Sequence, residues 1–219
     1  MRFEKVFEGV YRIDGKLATE NLVPGTRVYG EELIEHNGSE YRLWNPYRSK
    51  MAAAILNGLK TFKIAKGSSV LYLGAATGTT ASHISDIVGK EGRLYCVELS
   101  ERNMRELLGV CDRRRNMLPI LADANDTDKY AGIVDECDAI YQDVSAKNQA
   151  EIMAINSRFL KKGGYSYFII KSQSVDVSKK PSEVFESELK QLKGKFDIVE
   201  KIDIEPYDKL HMFSVLQKQ

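Results

Sequence analysis

Cysteine, histidine and tryptophan are scarce in this 219-residue chain, which holds three, three and one of them. Cys96, Cys111 and Cys137 are odd in number, widely spaced and form no C-x-x-C pair, so neither a disulfide framework nor a zinc site is indicated. His36, His83 and His211 are equally dispersed and suggest no metal cluster. No apolar run approaches the roughly eighteen residues that a bilayer span needs. Charges at Arg2, Glu4, Lys5 and Glu8 interrupt anything resembling a signal sequence. The expectation is a soluble cytoplasmic protein with no membrane partner. An excess of one charge is also missing: 32 Lys and Arg face 31 Asp and Glu, for a net charge of +1. That balance argues against capture of nucleic acid by bulk charge, so such a partner needs a local patch or outside help.

What is present is an ordinary globular composition, 43% hydrophobic and 29% charged, enough for one or two domains. Residues 1–45 read as a small antiparallel β unit. Short β-like runs occur at Val6 to Ile13, Val28 to Glu35 and Tyr41 to Trp44, and Asn37-Gly38 marks a tight hairpin. Asn45-Pro46 then looks like a helix start, Asn as N-cap and Pro first, ahead of Met51 to Leu56.

Residues 46–219 read as a second domain. Val70 to Leu73, Arg93 to Val97, Leu118 to Leu121, Ala139 to Tyr141 and Tyr165 to Ile170 are short apolar runs, each followed by a stretch with helical character. Such alternation implies α/β architecture, parallel strands with crossover helices on both faces. Met104, Leu107, Leu108 and Cys111 form one helical stripe, as do Ile152, Ile155 and Phe159, with Gly163-Gly164 ending the latter helix. Pro181 opens another helix with Phe185, Leu189 and Leu192 inward. Ile198 to Ile204 and Met212 to Leu216 are strands whose connection is too short for a crossover helix, so the last strand runs antiparallel.

The turn after the first of these strands, Gly74-Ala-Ala-Thr-Gly78-Thr-Thr80, suits a ligand held against backbone and a helix N-terminus. Its G-x-x-x-G spacing departs from the dinucleotide fingerprint. Glu98, 24 residues after Gly74, stands where an acid accepts ribose hydroxyls in doubly wound folds. Asp123-Ala124 and Asp143-Val144 follow the next two strands, at the carboxyl ends where such sheets bind ligands. Arg102, Arg105 and Arg113 to Arg115 cluster on one helix with charge able to neutralise phosphates, though Arg113 to Arg115 read rather as a solubilising face. Arg158, Lys161, Lys162, Lys171, Lys179 and Lys180 form a second basic group placed near the substrate edge.

Asn45-Pro-Tyr-Arg-Ser-Lys50, Tyr72 to Thr80, Ser82-His-Ile-Ser-Asp86, Asp123-Ala124, Asp143-Val144, Gly163-Gly164, Ile170-Lys171 and Glu205-Pro-Tyr207 with His211 together resemble fibrillarin in its short archaeal form. The resemblance implies a class I methyltransferase fold, Rossmann-like with a mostly parallel seven-stranded sheet and an antiparallel last strand, behind a small β-rich N-terminal domain. It implies S-adenosyl-L-methionine as cofactor and methylation of ribose 2′-hydroxyls in rRNA and tRNA chosen by a box C/D guide RNA. The partners it implies are a Nop-family scaffold protein, a kink-turn-binding ribosomal-type protein, the guide RNA and its target. Self-association stays open. By position, cofactor contacts fall on Gly74, Ala75, Ala76, Gly78, Thr79, Thr80, Glu98, Leu99, Asp123, Ala124, Asp143, Val144, Ser145 and Ala146, and a catalytic tetrad on Lys50, Asp143, Lys171 and His211. Two departures stand out: Ala146-Lys147 replaces the usual Gln-Pro, and Leu210 precedes the His where Asp is common. The alternatives are a stand-alone methyltransferase for small hydroxylated molecules and a non-catalytic cofactor-binding subunit of a complex.

Overall fold

Tight turns organise the start of the computed structural model, which describes residues 2–219. Strands β1 (Phe3–Phe7), β2 (Val10–Ile13), β3 (Lys16–Glu20), β4 (Leu33–His36) and β5 (Ser39–Leu43) form an antiparallel sheet in the order β1-β2-β3-β5-β4. Asn37 and Gly38, with φ of 49° and 82°, close the β4–β5 hairpin as their dipeptide signals. The expected run from Val6 to Ile13 is instead a hairpin broken at Glu8-Gly9, and the expected strand from Val28 begins only at Leu33. The amides of Val28 and Tyr29 turn inward to the Glu31 carboxylate at 3.0 and 2.8 Å, a local bond that displaces strand pairing there.

The second sheet orders its strands β11-β12-β10-β9-β6-β7-β8. Its members are β6 (Ser69–Leu73), β7 (Arg93–Glu98), β8 (Met117–Leu121), β9 (Cys137–Gln142), β10 (Leu160–Lys171), β11 (Phe196–Asp203) and β12 (His211–Lys218). β6 through β10 pair in parallel, and β12 is antiparallel to both neighbours, as expected. Alternation along each strand feeds two cores. Val70, Tyr72, Tyr141 and Ile169 face one side, while Leu71, Leu73, Ile140 and Ile170 face the other. The first side is covered by α1 (Lys50–Leu56), α2 (Thr79–Val88) and α3 (Glu101–Cys111), the second by α4 (Gln149–Asn156) and α6 (Pro181–Gln191), with α5 (Ser172–Val175) a single turn between β10 and α6. No helix of the described residues is long and apolar enough to cross a membrane.

Three expectations change here. Asn45-Pro46 does not open α1. Asn45 folds a turn, its Oδ1 accepting from Tyr47 N at 2.9 Å, and Ser49 is the N-cap, so Lys50 becomes the first helical residue. Gly163-Gly164 lies inside β10, where pairing with β9 shifts register between Leu160 and Tyr165; α4 has already ended at Asn156. On α3 the buried stripe is Met104, Leu107 and Cys111, with Leu108 left outside at 44% exposed.

The N-terminal sheet packs on α2 through a buried polar seam. Arg42 pairs with Glu31 at 2.6 Å and with Asp86 of α2 at 2.8 Å, and Asp86 also takes bonds from Thr19 and from the Leu22 amide. Arg114 reaches the same Asp86 from beyond α3. His83 is fully buried between Thr19 and Tyr29, stacked on Trp44. The expected solubilising role of Arg113 to Arg115 therefore fails at Arg114, which is 1% exposed.

Candidate active site

The loop between β6 and α2 is shaped by close backbone approach. Gly74 has φ of 80°, and a Cβ there would lie 2.8 Å from the Asp143 carbonyl oxygen, so only glycine brings the two strand ends this near. Gly78, φ 92°, caps α2 and has Leu107 against it. Thr80 in the first turn of α2 donates to Ser49 Oγ at 3.0 Å, tying this loop to the start of α1 and hence to Lys50.

A cleft of about 590 Å³ opens at the carboxyl ends of β6, β7, β8 and β9. Gly74, Ala76, Glu98, Leu99, Asp123, Ala124, Asp143, Val144, Ser145 and Ala146 line it, together with Lys171. Four expected contact residues do not line it: Ala75 and Thr80 are buried behind the loop, and Gly78 and Thr79 start α2. Ser100, Asn103 and Asn125 are lining residues the sequence reading did not name. Their polar groups follow predictable turns, Ser100 as N-cap of α3 and Asn125 in an Asx turn on Asp123. Glu98 is not a solvated carboxylate. Its Oε1 accepts from Ser100 N at 2.8 Å and its Oε2 from Ala76 N at 2.8 Å, so it also holds the glycine loop in shape.

At the cleft's edge, five ionisable groups form a chain. Lys171 Nζ donates to the Asp143 carbonyl at 2.9 Å and to Ser145 Oγ at 3.1 Å, and lies 2.8 Å from Asp143 Oδ1. Lys50 Nζ donates to Asp143 Oδ2 at 3.1 Å and lies 3.5 Å from Asp208 Oδ2. His211 Nδ1 lies 2.6 Å from Asp208 Oδ1. The approaches of Lys171 to Asp143 Oδ1 and of His211 to Asp208 fall off the hydrogen-bond direction and count as ion-pair contacts. Burial pushes the Lys50 pKa down, but the Asp143 and Asp208 carboxylates outweigh it and hold the ammonium above the ordinary lysine value. Lys171 and His211 are direct partners in the β10–β12 pairing, so both side chains stand on one face of the sheet.

The structure thus joins the four expected tetrad positions and adds Asp208, which sequence reading missed. Gln149 was also missed. Fully buried, it accepts from Lys171 N at 2.9 Å and donates to the Ala146 carbonyl at 3.0 Å, locking the end of β10 to the loop after β9. The second basic group is not one patch. Lys161 and Lys162 begin β10 while Lys171 ends it, and Arg158 and Lys161 are paired with Asp128 and Asp138.

Comparison with known proteins agrees with this architecture. The fibrillarin family model matches residues 1–219. The fibrillarin-like rRNA/tRNA 2′-O-methyltransferase of Pyrococcus furiosus is 50% identical over 218 residues, spanning 97% of this chain and 96% of the relative. Aeropyrum pernix fibrillarin, solved with natively bound S-adenosyl-L-methionine, superposes with a TM-score of 0.91 at 46% identity, over 99% of this chain and 98% of that one. The matching chain of a fibrillarin/Nop5p complex has a TM-score of 0.90 at 41% identity, over 97% and 98%. With the family model matched from the first residue to the last and a relative identical at half of the aligned positions, the chain belongs to the fibrillarin family.

Proposed function

We propose that the protein transfers methyl groups from S-adenosyl-L-methionine to ribose 2′-hydroxyls of rRNA and tRNA, at sites chosen by a box C/D guide RNA within a cytoplasmic ribonucleoprotein. The observation that carries this reading is the Lys50–Asp143–Lys171 chain, with His211 in register, at the rim of a cleft built on four strand ends. The name of the half-identical Pyrococcus relative and the cofactor bound to the Aeropyrum one support it.

The cleft suits the cofactor on its own chemistry. Gly74 lets the glycine loop close against the Asp143 backbone to shape the cleft wall, Glu98 Oε2 has one backbone donor and spare lone-pair capacity for a ribose hydroxyl, and Asp143 lines the cleft with a carboxylate suited to a sulfonium. Gly74, Ala76, Glu98, Leu99, Asp123, Ala124 and Asp143 to Ala146 would hold it, with Ala75, Gly78, Thr79 and Thr80 shaping the loop behind. When bound, it supplies an electrophilic methyl on a positively charged sulfur. The chain's own part is to fix and polarise the hydroxyl. Asp143, clamped between two ammoniums, orients both of them toward the site. Those cations favour the developing alkoxide in a site that needs no reorganisation to meet it.

With a net charge of +1 the chain has no bulk cationic excess with which to hold RNA by itself. Substrate delivery then rests on partners. The Nop5p complex of a relative supports a Nop-family scaffold, to which the reading adds a kink-turn-binding protein and the guide RNA. The test is methyl transfer from labelled S-adenosyl-L-methionine to a guide-paired target, with and without the scaffold proteins. Transfer is expected only in the assembled particle. Equal transfer to free RNA, or to small hydroxylated molecules, would overturn guide dependence.

A further inference from the structure

Among the groups at the site, the two lysines are poorly placed to take a proton. Lys171 Nζ is ringed by three oxygens: it donates to the Asp143 carbonyl at 2.9 Å and to Ser145 Oγ at 3.1 Å and lies against Asp143 Oδ1 at 2.8 Å, an all-acceptor setting that suits an ammonium. Lys50 sits between two carboxylates that keep it charged. Asp143 is occupied in holding both. His211 differs. A neutral imidazole keeps one ring nitrogen with a lone pair able to accept a proton. Its Nδ1 is buried, has no hydrogen-bond partner among the described residues, and lies 2.6 Å from Asp208 Oδ1. The approach is out of line for a hydrogen bond, but an unprotonated Nδ1 at that distance would set its lone pair against those of the carboxylate, so the contact favours a proton on Nδ1 and leaves the lone pair on Nε2.

Resting on the methyltransferase reading above, we propose that His211 takes the ribose proton through Nε2, and that Asp208, bridging Lys50 and His211, is the positioning residue that sets its tautomer. The ribose oxygen gives its proton to Nε2 and its lone pair to the new O–C bond. The C–S bond breaks with its electron pair kept on sulfur, which becomes a neutral thioether, and the imidazolium later releases the proton to water. Asp208 opposes the positive ring with negative charge during the step. The lysines act throughout as fixed cations.

The chain has only three histidines, His36, His83 and His211, so ¹⁵N-imidazole NMR of the cofactor-free protein reads the tautomer directly, with His211→Gln as the assignment control. His211 is expected with its proton on Nδ1. Asp208→Ala should shift it to Nε2–H, and Asp208→Asn, whose side-chain oxygen still accepts, should keep Nδ1–H. Unmoved His36 and His83 signals certify that each variant is folded. In the assembled particle, Asp208→Ala should lower kcat about a hundredfold, with KM for cofactor and target within twofold, and Asp208→Asn should recover part of the loss. An Nε2–H tautomer in the unmodified protein, or an unchanged kcat in Asp208→Ala, would overturn the proposal. Absence of methyl transfer by the unmodified particle would instead remove the functional reading, while the tautomer still decides whether Asp208 holds His211.

Discussion

Two clusters of alternating charge occupy this molecule, and they differ in closure. In the seam between the sheets, Arg42, Glu31, Asp86 and Arg114 have side chains at most 1% exposed, and Asp86 alone receives both guanidiniums, a threonine hydroxyl and a backbone amide. At the cleft, Lys50, Asp143, Lys171, Asp208 and His211 have side chains between 12% and 32% exposed. The seam is a finished network with nothing left for a ligand. The cleft cluster keeps one face toward solvent. Buried and closed, such a network fixes the relation of one sheet to another; open, the same residue types hold charge ready for a reacting group.

Removing one member of each cluster separates these roles. Asp86→Ala leaves two buried guanidiniums without their shared acid, and the expected loss is about 3–5 kcal/mol of stability. For a chain of this length that is roughly 6–20 °C in Tm by calorimetry. A loss below about 1 kcal/mol would mean the seam is not what holds the sheets together. Lys171→Ala should leave Tm nearly unchanged and cofactor affinity intact, yet lower methyl transfer by about 10²–10³-fold in the assembled particle, the scale of losing one preorganised donor. An unimpaired rate would remove Lys171 from the site.

Acid should weaken the seam. Burial, reinforced by Arg42 and Arg114, holds the His83 pKa well below 6.5, so the ring is neutral when folded. The unfolded chain protonates that histidine below about pH 6.5 and the folded one does not. Stability is therefore full above that pH and falls as pH drops through it, by about 1.4 kcal/mol per unit for one proton. Urea midpoints between pH 7 and 5 should show this slope, and His83→Gln should flatten it by one proton's worth.

The same contrast explains what could be read in the sequence. Gly74, Gly78, Glu98, Asp143 and Lys171 are legible because each sits at the carboxyl end of an apolar run or in the turn beyond it, where topology alone makes the site. Asn37-Gly38 is legible as a local turn, and Asp14-Gly15 carries the same signal between β2 and β3. Arg114 is not legible, because its burial depends on Asp86, 28 positions away on another helix. Nor is the passage of β10 through Gly163-Gly164, where strand pairing overrides two residues that usually stop an element. Asp208 escapes for a related reason: His211 is only three positions away, but Lys50, 158 positions earlier, meets Asp208 only in the folded chain.

The smallest expected effect concerns where backbone strain is kept. Among the described residues, four non-glycines have positive φ: Asp14, Asn37, Ala76 and Leu210. The first two are turn residues of types that tolerate the left-handed region and belong to the N-terminal sheet. The other two are an alanine in the glycine loop and a leucine beside His211, neither of which favours it. Leu210, at φ 62°, is held there by its carbonyl, which accepts from Ser172 N at 3.2 Å and Ser172 Oγ at 2.9 Å, just beyond Lys171. Its side chain is 42% exposed, so little packing compensates the conformation. Leu210→Asn keeps the carbonyl and suits the φ, and should raise stability by about 0.5–1 kcal/mol, or roughly 1–4 °C in Tm, with kcat within twofold. A fall in Tm would show that the leucine side chain packs more than its exposure indicates. A large change in kcat with unchanged Tm would make the strain itself part of how His211 is presented, and would place the site's precision in its backbone rather than in its chain of charges.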